Sequence, residues 1–295
     1  MDEFVGGAGN DTFRATIDVT ANATLTALDD IDGGAGIDTL SLNILDNAAG
    51  NATDDGTGGT AVTIPSVAIA NIETLNLRSA KDADIDISTF TDFTLLNVTQ
   101  AAGSLSIDAA DSTDVQTAGT AFNVAVDGGK DITVTDATAD NAITIGATTA
   151  AAGTITVTDT KQGTGIIAVD GGTDVSVTAT ATGAGGTTTG AIDIGQAADL
   201  PSGTITVVQS LAHDGTGGDL TGGDITVDGG TVVDITVNAN NVAKVATAAD
   251  DIVIGSIAVT GDDSTTTVNV TQNDNNQTFT SAVVDEVKET TTVTF

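Results

Sequence analysis

Two stretches near the N-terminus carry residues suited to a hard cation: Gly6-Gly7-Ala8-Gly9-Asn10-Asp11-Thr12-Phe13-Arg14 and Gly33-Gly34-Ala35-Gly36-Ile37-Asp38-Thr39-Leu40-Ser41. Both fit the nine-residue pattern G-G-x-G-x-D-x-U-x, where U is a large apolar residue. The glycines allow a tight turn with inward carbonyls, and the Asp adds a carboxylate at a fixed distance. The apolar residue then starts a short strand that points into a core. Calcium takes six to eight oxygens, so a turn rich in carbonyls and carboxylates suits it.

Each motif is preceded by the back half of another. Nine residues before Asp11 lies Asp2, in Asp2-Glu3-Phe4-Val5, and nine before Asp38 lies Asp29, in Asp29-Asp30-Ile31-Asp32. One turn supplies only part of a calcium shell, so stacked turns are what the ion requires. The spacing therefore predicts two short stacks. Asp2, Gly6, Gly7, Gly9 and Asp11 form the first, and Asp29, Gly33, Gly34, Gly36 and Asp38 the second, with Asp2 paired to Asp11 and Asp29 to Asp38. The bland alternative is a chance Gly/Asp-rich loop. Two copies, each with a half repeat in register, favour the calcium reading.

The elements that position these turns are short strands. Thr39-Leu40-Ser41-Leu42-Asn43-Ile44, Asp131-Ile132-Thr133-Val134, Thr154-Ile155-Thr156-Val157 and Asp234-Ile235-Thr236-Val237 alternate apolar and polar residues, with Gly, Asp and Asn clusters between them. Helical periodicity is nearly absent. Val-Asp-Gly-Gly recurs at Val126, Val169 and Val227, each time between two strands. A larger unit runs from Ala142-Ile143-Thr144-Ile145-Gly146 to the strand at Thr154, and again from Ala191-Ile192-Asp193-Ile194-Gly195 to the strand at Thr204. Asp-Gly-Gly also permits hairpins of a sandwich, but sandwiches do not repeat their strand sequences so closely. The expected fold is all-β: a right-handed parallel β-solenoid with corner-loop insertions and β-roll turns near the N-terminus. Residues 1–45 read as the calcium-binding segment and 46–295 as a continuous solenoid. Asn47 to Gly59 reads as a loop with a further cation candidate at Asp54 and Asp55. Thr187–Gly190 and His213–Gly223 read as corner insertions, and Gln272–Gln277 as a turn.

Composition agrees with a thin aliphatic core. Of 295 residues 40% are hydrophobic but only 2% aromatic, and 35 glycines punctuate the chain. Aromatic volume dominates most globular cores; stacked Ile, Val and Leu do not need it. Net charge is −34, from 41 acidic and 7 basic residues. Nucleic acid is excluded as a partner, because no basic patch exists to neutralise phosphate. Direct membrane insertion is not expected, since no run is long enough for a transmembrane helix. Such self-repulsion calls for cations, although part of the charge also serves solubility. Without cysteine, neither disulfides nor thiolate-bound metals contribute. No signal peptide is visible, and Met1, which opens inside a repeat, reads as the start of a fragment.

The nonapeptides, together with Asn71-Ile72-Glu73-Thr74-Leu75-Asn76-Leu77, resemble the RTX-type surface-layer proteins of Gram-negative bacteria, the Caulobacter type in particular. The Thr/Ala/Val tracts with Val-Asp-Gly-Gly turns fit the same resemblance. It implies type I secretion, an extracellular location on the bacterial cell surface, folding on meeting Ca2+, and assembly with copies of itself into a two-dimensional lattice. Cell-surface polysaccharide or lipopolysaccharide is the expected anchor, through other regions. The chain departs from the family in showing no C-terminal secretion segment.

Other chemistry finds few residues to carry it. Sugar-processing β-helices need a base and usually an aromatic or cationic platform. This chain has one His and no Tyr or Trp, so it is expected not to be an enzyme. His213 reads as an exposed loop residue, and Arg78 and Lys81 as surface ion-pair partners of Asp82 and Asp84. Two classes of function remain. One is a structural, self-assembling surface-layer protein. The other is a calcium-stabilised adhesin or biofilm-matrix module, or the spacer of a larger secreted protein.

Overall fold

The structure, a computed structural model, describes residues 2–18, 23–45, 62–183, 186–196, 199–213, 218–241, 252–275, 277–279, 282–285 and 290–294. The candidate loop at Asn47–Gly59, with Asp54 and Asp55, lies outside them. Two compact units are present, Met1–Val134 and Thr135–Phe295. The described residues form strands and turns without a helix, so none holds a helix long and apolar enough to cross a membrane. Each unit is a parallel β-solenoid.

In the first unit the main sheet is built from Thr12–Asp18, Thr39–Leu45, Thr74–Ser79, Leu95–Ala101, Asp114–Thr117 and the strand that begins at Ile132. Each pairs in parallel with the equivalent strand of the next coil. A second sheet stacks Val62–Thr63, Ala83–Asp86, Leu105–Ala109 and Val124–Gly128, and a third stacks Glu3–Val5, Asp30–Asp32 and Ala68–Ala70. The second unit repeats the plan. Its main sheet runs through Ile155–Asp159, Val175–Gly183, Thr204–His213, Val232–Asn241, Thr267–Asn275 and Thr290–Thr294. Parallel pairing throughout rules out the hairpin sandwich.

Like stacks on like. Ile143, Ile167, Ile192, Ile225 and Ile257 form one buried column of the second unit. Val157, Val177, Val207, Ile235 and Val270 form another. Burying each such side chain contributes about 1.5–3 kcal/mol. β-Branched residues fit this packing because their restricted rotamers suit a pleated face. The recurrence of Ile143-Thr144-Ile145 as Ile192-Asp193-Ile194 spans two coils, since Ile167–Val169 lies between them. The Val-Asp-Gly-Gly segments are corners leading from one sheet to the next. Both glycines of each adopt left-handed φ, as at Gly171 (75°) and Gly172 (82°), which a side chain disfavours.

Several local expectations fail, and for His213 and Gln272 the reason is that the strands run further than the sequence suggests. His213 is the last residue of Thr204–His213, fully buried, with Nε2 2.6 Å from the Gly218 carbonyl oxygen. The inward alternation Ile205, Val207, Gln209, Leu211, His213 reaches the first residue of the expected corner insertion. Gln272 likewise sits buried inside Thr267–Asn275 rather than in a turn. Of the two corner insertions, one holds the strand Thr187–Thr188 and the other Leu220–Thr221, and these pair in a further sheet. Lys81 is buried rather than superficial, and Arg78 donates to the Gln100 side chain on the neighbouring strand.

Candidate metal centre

The glycine motifs are the turns that carry the chain from the third sheet of the first unit into its main sheet. Glu3–Val5 leads through residues 6–11 to Thr12–Asp18, and Asp30–Asp32 leads through residues 33–38 to Thr39–Leu45. The turns lie directly on each other, because Glu3 pairs with Asp30 and Thr12 with Thr39. Backbone bonds lock the stack: Gly6 N–H to Asp32 O (2.7 Å), Ala35 N–H to Gly7 O (3.0 Å) and Thr39 N–H to Asp11 O (2.9 Å). A shorter turn, Asn71-Ile72-Glu73, stacks next, with Gly33 N–H donating to Ala70 O at 3.0 Å and Thr74 N–H to Asp38 O at 3.0 Å.

This geometry re-pairs the predicted ligands. The residues stacked on each other are Asp11 and Asp38, 27 residues apart, with the Asp11 backbone N–H donating to Asp38 Oδ1 at 2.6 Å. Asp2 does not join Asp11. It stands at the start of Glu3–Val5, exposed, and its carbonyl accepts the Asp30 N–H. Asp29 does not join Asp38 either. Its Oδ2 accepts from Thr26 N–H (2.7 Å) and Thr26 Oγ1 (3.1 Å), closing a local turn.

The glycines divide by role. A Cβ on Gly6 would collide with the Gly33 carbonyl oxygen, and one on Gly33 with the Asn71 carbonyl oxygen, so these two positions allow the turns to touch. Gly34 and Gly36 take φ of 86° and 149° and lie against the carbonyls of Gly7 and Gly9. Gly7 donates its N–H to Asp11 Oδ2 at 2.7 Å. Gly9 has open space where a Cβ would go.

Glu73 completes a ladder of acids that the nine-residue pattern missed. Its Oε2 accepts the Asp38 N–H at 2.7 Å, just as Asp38 Oδ1 accepts that of Asp11. The signal was present in the sequence: Ile72-Glu73-Thr74-Leu75 repeats Ile37-Asp38-Thr39-Leu40. Asp32 also belongs to the site. Its Oδ1 accepts from Gly34 N–H (3.0 Å) and Asn71 Nδ2 (2.7 Å), and these bonds, the Asn71 one foremost, hold its carboxyl below the ordinary range.

That choice by Gly34 has a consequence. In the first turn the Gly7 N–H satisfies the second oxygen of Asp11. In the second turn the equivalent Gly34 N–H turns to Asp32 instead, and Asp38 Oδ2 is left buried without a hydrogen-bond partner. Asp38 is 0% exposed. A buried carboxylate oxygen left unpaired costs at least about 1–3 kcal/mol, so it fits a cation better than a void. Asp38, Asp11 and the carbonyls of the stacked turns are the oxygens that could hold one. No family model matches the chain, and no curated protein matches it.

Proposed function

We propose that this protein is a structural, calcium-stabilised β-solenoid of the bacterial cell surface that assembles with copies of itself into a surface layer. The observation that carries the calcium part is the unpaired, fully buried Asp38 Oδ2 inside the stacked glycine turns. A Ca2+ ion there would take Asp38 and Asp11 with turn carbonyls as ligands, a set of hard oxygens. It would tie consecutive coils together and offset part of the −34 charge. The assembly part rests on the resemblance of the motif and of Asn71–Leu77 to surface-layer proteins. It is helped by a repetitive fold that offers similar surfaces coil after coil. Secretion by a type I route and anchoring through polysaccharide or lipopolysaccharide belong to the same reading.

Circular dichroism and light scattering with calcium and with chelator test the first part. Calcium is expected to raise the unfolding temperature and chelator to fray the glycine turns; a chain equally folded and monodisperse in both overturns it. Electron microscopy after calcium addition tests the second. Ordered sheets support the layer, whereas isolated particles or tangled filaments would favour an adhesin or a spacer.

A further inference from the structure

The second unit hides two acids where its alternation calls for apolar residues. The inward positions of Ile155–Asp159 read Ile155, Val157, Asp159, and those of Ile132–Asp136 read Ile132, Val134, Asp136. Asp136 is 0% exposed and Asp159 2%. They lie on adjacent coils, since Thr160 N–H donates to the Asp136 carbonyl at 2.9 Å. Their local geometry is the same. Each Oδ1 accepts the backbone N–H two residues on, Thr138 for Asp136 and Lys161 for Asp159, both at 2.9 Å. Both carboxylates are thus fixed by their own backbone, and Asp136 Oδ2 is buried with no hydrogen-bond partner.

Among the described residues, no cation acts on Asp159. Burial, opposed by the Lys161 N–H and reinforced by the Asp136 charge, pushes Asp159 up to about 6. The Lys161 side chain points to solvent. Gln162, three residues past Asp159, is buried with its Oε1 unpartnered while its Nε2 donates to Gly190 O at 3.0 Å. Across the ladder Asp159 is followed by the small Ala179, which leaves room beside the pair. Two like charges removed from water without a counter-charge are strongly unfavourable. Two buried carboxylates stacked on adjacent coils, one with an unpartnered oxygen, offer a hard cation the start of an oxygen shell that water can complete.

We propose that Asp136 and Asp159 form an interior binding site for a divalent cation of the calcium class, separate from the glycine turns. The ion bridges adjacent coils from within the core, with water completing its shell. The site carries no G-G-x-G-x-D signature and does not depend on the reading of the glycine turns.

The test counts calcium bound to the full chain at equilibrium, by elemental analysis, for the wild type, Asp38→Asn and the double variant Asp136→Asn with Asp159→Asn. The double variant is expected to lose one ion per chain that Asp38→Asn retains. An unchanged count in the double variant overturns the proposal. It would leave the pair sharing a proton, with Asp159→Asn then stabilising the chain even in calcium. Should the double variant fold poorly, hydrogen exchange in Asp38→Asn serves instead. Adding calcium is expected to slow exchange in segments 136–141 and 159–164, which hold the Thr138 and Lys161 amides bound to these carboxylates. Identical exchange with and without calcium overturns the proposal as firmly.

Discussion

Asp38 concentrates the chemistry of the first unit in one side chain. Its backbone N–H feeds Glu73, its Oδ1 serves Asp11, and its Oδ2 faces no donor. Asp38→Asn should therefore change sign with calcium. In chelator the variant loses a buried, unpaired charge and should be more stable than the wild type by about 1–2 kcal/mol. In calcium at about 100 times the dissociation constant it should forgo about 2.7 kcal/mol of linkage stabilisation. Denaturant unfolding in the two buffers measures both, and a variant less stable by the same amount in each would remove the metal from the account. Glycine contacts give a second contrast. Gly33→Ala places a methyl against the Asn71 carbonyl and should cost about 3 kcal/mol, whereas Gly9→Ala meets open space and should stay within about 0.5 kcal/mol. Thermal unfolding of the pair separates close approach from mere turn propensity. The motif made these residues visible in the sequence, but not their partners. Spacing of nine is a property of the chain, whereas the stack is set by a coil of 27 residues, and the residues between the strands hide that length.

Strands stack with their chemistry in register, which makes columns the unit of stability. Ile194 is buried between Val169 and Val227 on the neighbouring coils. Ile194→Ala should cost about 2–5 kcal/mol, with faster hydrogen exchange concentrated on those two neighbours; a loss spread evenly over the unit would argue against coil-by-coil coupling. Acidic columns work the other way. Asp108 is flanked by Asp86 and Asp127 on adjoining coils, and burial first, then Asp127, Asp86 and Asp84, raise its carboxyl above the ordinary value. A raised carboxyl binds its proton more tightly in the folded state, so its contribution is full at low pH. That contribution falls as pH rises from the ordinary carboxylate value, about 3.9, through the raised one. Asp108→Asn should flatten this decline in calcium-free buffer, as unfolding followed from pH 3 to 7 would show; an unaltered slope refutes it. Alternation makes strands such as Thr39–Leu45, Ile155–Asp159 and Thr204–His213 legible in the sequence. It failed where a polar residue occupies an inward position, as at Gln209, His213 and Gln272, because periodicity scores such a residue as a strand end. Asp136 and Asp159 occupy inward positions of the same kind.

Taken as a molecule, the chain combines a net charge of −34 with a core almost free of aromatic rings. Self-repulsion on that scale is screened by salt, with a Debye length of about 10 Å at 0.1 M. Sodium chloride should therefore raise the unfolding temperature of the chelated protein markedly and that of the calcium-saturated protein little. Equal salt slopes in calorimetry would mean that calcium offsets none of the repulsion. Composition and charge raise the expectation of cations as a counterweight, and the solenoid class followed from repetition. The division into two compact units, Met1–Val134 and Thr135–Phe295, had no mark in the sequence, since the same aliphatic alternation runs up to Val134 and resumes after it. Within the first unit, the main sheet accepts coils of very different length. Asp38 meets Glu73 across 35 residues, whereas Asp114 meets Asp131 across 17. Register belongs to the strands and not to the chain between them. Doubling a connecting segment adds only about 0.6 kcal/mol of closure entropy. A foreign peptide grafted at a corner should thus leave every rung in place, so the scaffold can gain new outward-facing sequences without relearning how to fold.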